Sequence, residues 1–157
     1  ENNKINFIDE IVIYSSNTDE LVKEIKTRYP DRQIIVYPDP ACRQRKTSAG
    51  GKTDLNILQN AGLTVRVKNA HPQVRDRINA VNSRLKNTND QRMMFIDPKC
   101  KNIIRGLERH LYKEGTTQPD KDSGFDHMND AIGYAVDYLF PIRKQYTKQL
   151  PQRWSVK

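Results

Sequence analysis

Apolar positions in this chain fall into two rhythms, short unbroken runs and stripes three or four residues apart. The run Phe7-Ile8-Asp9-Glu10-Ile11-Val12-Ile13-Tyr14 is rich in β-branched and aromatic residues, and Ile34-Ile35-Val36-Tyr37 is a second run of the same kind, so both read as strands. Between them Leu21, Val22, Ile25 and Tyr29 share one helical face, Asn17 with Glu20 forms a capping-box pattern, and Pro30-Asp31 ends the segment. Strand, helix, strand at this spacing predicts a βαβ unit with parallel pairing, which puts Asp39 on the sheet edge where such folds usually hold ligands.

A polar, basic, glycine-bearing loop follows over 43–52, then a short helix over 54–61 and a strand over 64–68. Val74, Ile78, Val81 and Leu85 form one stripe of a helix entered through Pro72, with Arg75, Asn79, Asn82 and Lys86 on its other side. Met93 to Ile96 reads as a buried strand, and Ile103, Ile104, Leu107 and Leu111 mark the helix after it. Residues 115–124 have no core pattern. The last helix, from Asp126 to Phe140, is apolar around most of its circumference and stops at Pro141. The pattern implies one α/β domain over 1–141 and a basic tail over 142–157.

Charge sharpens this picture: Lys and Arg number 27 against 19 Asp and Glu, a formal +8. That balance favours a polyanionic partner such as nucleic acid. No run approaches the roughly 20 apolar residues that span a bilayer, so no membrane role is expected. Cys42 and Cys100 stand apart with no paired spacing and are expected to be reduced bystanders. Gly50-Gly51-Lys52-Thr53 imitates the end of a phosphate-binding loop, but Lys46 stands where the pattern needs its first glycine.

Against this positive background the acids stand out. Asp39 lies in Tyr37-Pro38-Asp39-Pro40 at a strand end; Asp126 and Asp130 open the last helix one turn apart, with His127 between them and Asp137 further along. Each has a structural explanation, as a turn residue or as a helix-start acid favoured by the dipole. An acid stripe on an otherwise apolar helix still calls for a partner. Oxygen ligands from a strand end and a helix start suit Mg²⁺ or Mn²⁺, and two such ions could serve phosphodiester hydrolysis. His127 has three candidate roles: ligand, proton carrier or stabiliser of the helix start. Arg43, Arg45, Lys46 and Lys52 in the loop after Asp39, with Arg75 and Arg77 beyond, are the candidate phosphate contacts.

Together, Val36-Tyr37-Pro38-Asp39-Pro40, the loop Arg43-Gln44-Arg45-Lys46-Thr47-Ser48, the segment Val74 to Asn82 and the ending Asp126-His127-Met128-Asn129-Asp130-Ala131-Ile132-Gly133-Tyr134 resemble the C-terminal nuclease domain of tailed-bacteriophage terminase large subunits. The resemblance implies an RNase H-like mixed β-sheet flanked by helices. It also implies two-metal cleavage of concatemeric double-stranded viral DNA in the cytoplasm of the infected host, with an ATPase domain, a portal protein and a small terminase subunit as partners. Asp39 matches the family's second carboxylate. Asp126 and Asp130 bracket the third, with Asp126 placed ahead for its nearness to the helix start. The family's first catalytic aspartate belongs to a strand preceding the segment that matches Asp9-Glu10, so the resemblance implies an incomplete nuclease domain without its first strand or two, and leaves open whether such a fragment is active. Another RNase H-like enzyme of resolvase or integrase type, or a non-catalytic basic DNA-binding module, are the alternatives.

Overall fold

The computed structural model describes residues 3–45, 51–116, 118–122 and 124–142. Lys46, a candidate phosphate contact, and the basic tail from 143 onward lie outside the described residues. The elements run β1 (Ile5–Phe7), α1 (Thr18–Arg28), β2 (Ile35–Val36), a 3₁₀ turn (Pro40–Arg43), α2 (Asp54–Asn60), β3 (Thr64–Val65), α3 (Val74–Leu85), β4 (Met94–Ile96), α4 (Lys101–Arg109) and α5 (Asp126–Leu139).

The strands pair in two parallel couples. β1 lies beside β4 with Ile5 opposite Met94 and Phe7 opposite Ile96, and β2 lies beside β3 with Ile35 opposite Thr64 and Val36 opposite Val65. Each couple has its own core. Ala80, Val81, Met94, Cys100, Ile103, Ile132 and Val136 are buried where α3, α4 and α5 cover β1 and β4, and Val22, Leu58 and Leu63 are buried where α1 and α2 cover β2 and β3. The helical stripes dictate this: Val81 on α3 and Ile132 and Val136 on α5 face one another because they recur at helical spacing.

α1 forms as its sequence directs. Asn17 Oδ1 accepts from the Glu20 N–H at 2.9 Å and Glu20 Oε2 accepts from the Asn17 N–H at 3.2 Å, so both arms of the capping box are made. The expected strand over 7–14 is not formed: β1 ends at Phe7, and Ile8 and Tyr14 are 63% and 85% exposed. A strand exists only where a neighbour accepts its ladder. Among the described residues β4 meets only Ile5–Phe7, and the rest of the run is held by side chains instead. Glu10 accepts from the backbone N–H groups of Asn102 and Ile103 at the start of α4, and Asp9 accepts from Tyr29 at 2.6 Å. α4 likewise stops at Arg109, before Leu111, which is 70% exposed.

α5 joins the two halves. From its buried position against α3, its second half reaches the loop after β2 through Tyr134 and Tyr138, the latter with its ring centroid 5.2 Å from that of Tyr37. No helix among the described residues is long and apolar enough to cross a membrane.

Candidate functional site

β2 and β3 are parallel, so the chain leaves both at the same edge. Asp39 follows the end of β2 by three residues, and His71 follows the end of β3 by six. Flanking prolines hold Asp39 extended, at φ −56° and ψ 137°, and its Oδ1 accepts from the Ala41 N–H at 2.7 Å to start the 3₁₀ turn. The carboxylate is 46% exposed, and its Oδ1 is 3.4 Å from His71 Nδ1. Its Oδ2 accepts from the Tyr134 hydroxyl at 2.8 Å.

Tyr134 connects this corner to α5. Burial first, and the bond to Asp39 second, push its phenol up to about 12, so it stays a donor at any ordinary pH. The Arg77 guanidinium lies over the ring, 4.3 Å from its centroid, and its Nη1 is 2.7 Å from Asp130 Oδ1. Arg77 is only 6% exposed. It packs directly on α5 at Gly133, where an added Cβ would make ordinary contact with the Arg77 side chain at 3.5 Å. Three residues past Tyr134, Asp137 is 3% exposed and ion-paired to Lys68 from the chain after β3.

The structure thus brings some candidates together and separates others. Asp130 is one helical turn, about 6 Å along the axis, from the residue that touches Asp39, whereas Asp126 is two turns away, about 12 Å. By position along α5, Asp130 is thus the nearer of the two acids to the residue that touches Asp39. Asp126 is in the first turn of α5 but is not its cap. Phe125 takes that position without a side-chain bond, and the buried Asp126 Oδ1 has no hydrogen-bond partner among the described residues. His127 is 91% exposed, with its Nε2 4.0 Å from Asp126 Oδ1, at the end of α5 remote from the Asp39 contact.

The basic candidates divide as well. Arg45, Lys52 and Arg75 are exposed, and so is Arg66. Arg43 is exposed, but its guanidinium donates to the Val67 and Lys68 carbonyls and fastens the 3₁₀ turn to the chain after β3. Arg77 is buried and paired, so its expected phosphate contact is not available in this arrangement. The cause is visible in the spacing: Arg77 lies on the stripe of Val74 and Val81, not opposite it.

Sequence reasoning missed Tyr134 and His71. Tyr134 is four residues after Asp130 and so on its face of α5, and His71 follows the strand parallel to β2; those two relations were the available signals.

Among the described residues no three His, Cys, Asp or Glu side chains converge on a point that would hold a metal ion. Mg²⁺, however, usually keeps several waters and takes one or two protein carboxylates together with substrate phosphates. The half-exposed Asp39, with the 41%-exposed Asp130 one turn before its Tyr134 partner on α5, fits that mode of binding. Both cysteines are free and buried, and desolvation pushes their thiols up, which fits neither a disulfide nor a soft-metal site.

Known proteins share this fold. A family model described as the terminase RNaseH-like domain matches residues 16–139. No curated protein matches the chain. Among solved structures, the chain is similar to the large terminase of a thermophilic bacteriophage, at 22% identity and a TM-score of 0.54 over 78% of this chain. The matched region is 28% of that protein's length, and at this identity the likeness speaks for the fold alone.

Proposed function

Because the chain belongs to the terminase RNaseH-like domain family, with the RNase H-like α/β fold that goes with it, we propose that it is the metal-dependent endonuclease domain of a phage DNA-packaging terminase. Its substrate in this reading is concatemeric double-stranded viral DNA, cut by phosphodiester hydrolysis in the cytoplasm of the infected host. The observation that carries the reading is the half-exposed Asp39 carboxylate at the C-terminal edge of the β2–β3 pair, bonded through Tyr134 to the helix that bears Asp130.

Asp39 and Asp130 are the residues that would hold Mg²⁺ or Mn²⁺. Bound there, a divalent ion supplies a lowered water pKa and charge neutralisation at the phosphoryl oxygens. The chain's own residues do the rest. Asp39 keeps a fixed carboxylate plane through the Ala41 N–H and the Tyr134 hydroxyl. His71, 56% exposed beside Asp39, is placed to take or give a proton at Nδ1. Arg45, Lys52, Arg66 and Arg75 would hold the duplex by its phosphates, without base contacts and with strong salt dependence. A second ion, as the two-metal scheme requires, would need Asp130 to exchange Arg77 for metal, with Asp126 as a more distant acid. The ATPase domain, portal protein and small subunit are the partners this assignment carries.

The test is Mn²⁺-dependent plasmid nicking by the full-length protein, with Asp39→Ala and Asp130→Asn beside the parent. Loss of nicking in both variants with unchanged DNA binding is the expected result; nicking by Asp39→Ala at the parent rate refutes the assignment. The lack of a three-ligand cluster among the described residues favours one second reading, a non-catalytic DNA-binding module, which would bind DNA indifferently to EDTA.

A further inference from the structure

The Asp39 carboxylate is held from two sides by groups of unequal standing. At Oδ1 the donor is the backbone N–H of Ala41, two residues along, which any residue in this turn would supply. At Oδ2 the donor is a side chain from the other half of the protein, the hydroxyl of Tyr134, 95 residues away in sequence. Tyr134 is itself gripped. Its ring lies under the buried Arg77 guanidinium, and Arg77 is anchored by Asp130, one turn before Tyr134 on the same helix. Tyr134, Arg77 and Asp130 close a circuit along α5, and Asp39 joins it through the Tyr134 hydroxyl.

Resting on the metal-site reading of Asp39 above, we infer that Tyr134 is a positioning residue for cation binding, fixing the Asp39 carboxylate plane through its hydroxyl and tying it to the helix that carries Asp130. A carboxylate offers about four acceptor directions. Ala41, Tyr134 and, when its Nδ1 is protonated, His71 use three of them, so at least one remains for a cation. The geometry therefore leaves Asp39 oriented without saturating it. A hydroxyl serving only as a staple between the two halves would leave cation affinity untouched when removed.

Tyr134→Phe separates these roles, because it keeps the ring under Arg77 and deletes only the donor. The measurement is Mn²⁺ titration of the full-length protein without nucleotide, followed by the electron paramagnetic resonance of free Mn²⁺, for the parent, Tyr134→Phe and Asp39→Asn, with melting temperatures in EDTA. Outer partners of metal ligands typically contribute 10–100-fold in affinity, so Tyr134→Phe should weaken Mn²⁺ binding by about tenfold or more, and Asp39→Asn should abolish it. In the full-length protein, raising Mn²⁺ should return Tyr134→Phe nicking to the parent rate and fail to rescue Asp39→Asn. Unchanged or tighter Mn²⁺ binding by Tyr134→Phe, with Asp39→Asn still defective, overturns the positioning role and leaves the metal-site reading intact. A parent chain that binds no Mn²⁺, or binds it equally well as Asp39→Asn, removes the metal-site reading and this inference with it.

Discussion

Glu10 replaces a cap that α4 lacks, and removing it has a calculable consequence. Cys100, at the cap position, makes no side-chain capping bond. Instead the Glu10 carboxylate accepts from the Asn102 N–H and the Ile103 N–H, both at 3.0 Å, and from the Asn102 side-chain amide at 2.8 Å. A cap contributes about 1 kcal/mol and a charge at a helix N-terminus about 0.3–1 kcal/mol. Glu10→Ala also leaves the N–H of Ile103, a residue only 4% exposed, without its acceptor. The sum for Glu10→Ala is about 2 kcal/mol. Glu10→Gln, which retains an acceptor and loses the charge, should lose about 1 kcal/mol. In a protein of this size each kcal/mol moves the melting temperature by about 2–4 °C, so circular-dichroism melts at pH 7 should fall by about 4–8 °C for Glu10→Ala. Burial alone would raise the Glu10 carboxyl, but the donors on Asn102 and Ile103 outweigh it and hold the group below its ordinary 4.5. The stabilisation is then fully present above that value and is lost as pH falls through the lower folded one. The gap between parent and Glu10→Gln should be level from about pH 7 to 5 and close below about pH 4. An Ala variant that melts with the parent, or a gap that widens in acid, refutes the reasoning.

Two further predictions concern charge and thiols. Arg75→Gln should reduce the slope of log K for DNA against log salt by about 1, because Arg75 is exposed; Arg77→Gln should leave that slope alone and lower the melting temperature, because Arg77 is buried against Tyr134 and Asp130. Equal slopes for the two variants would contradict the placement. Cys42 and Cys100, buried and with thiols pushed up by desolvation, should resist iodoacetamide at pH 8 until denaturant is added; one equivalent reacting at once in the folded protein would refute it.

Much of this is legible in the chain because it is written locally. The capping box at Asn17 and Glu20 and the stripes of α3 and α5 follow from short-range pattern, whereas the parallel pairing expected between the first two strands is not made: β1 pairs with β4, and β2 pairs with β3. What fails depends on neighbours. The run after Phe7 has the composition of a strand, yet strand formation is a property of two segments, and β4 meets only its first residues. Charge alone groups Arg77 with the surface cations, although its place one turn before Ala80 and Val81 puts it on the buried side of α3. Asp39 is identifiable as a strand-end acid. Its partners are not, since the packing of α5 against the end of β2 sets the meeting with Tyr134, and the pairing of β2 with β3 sets the one with His71.

The ion pairs also change how the formal charge should be read. Arg77 with Asp130 and Lys68 with Asp137 each sum to zero, so the acids of α5 nearest Asp39 are balanced from within and take nothing from the net +8. The excess resides on other residues, and the sequence puts much of it in one stretch: 143–157 contains Arg143, Lys144, Lys148, Arg153 and Lys157 and no acid. A polyanion approaching the protein therefore meets a field that does not originate among these paired groups. On the proposed reading, cations crowded onto the Asp39 oxygens would compete with a divalent ion for them, and Arg77 and Lys68 are instead engaged with acids of α5. Arg77 illustrates the same division: it neutralises Asp130 from a buried position while the Asp39 carboxylate stays half-open to solvent.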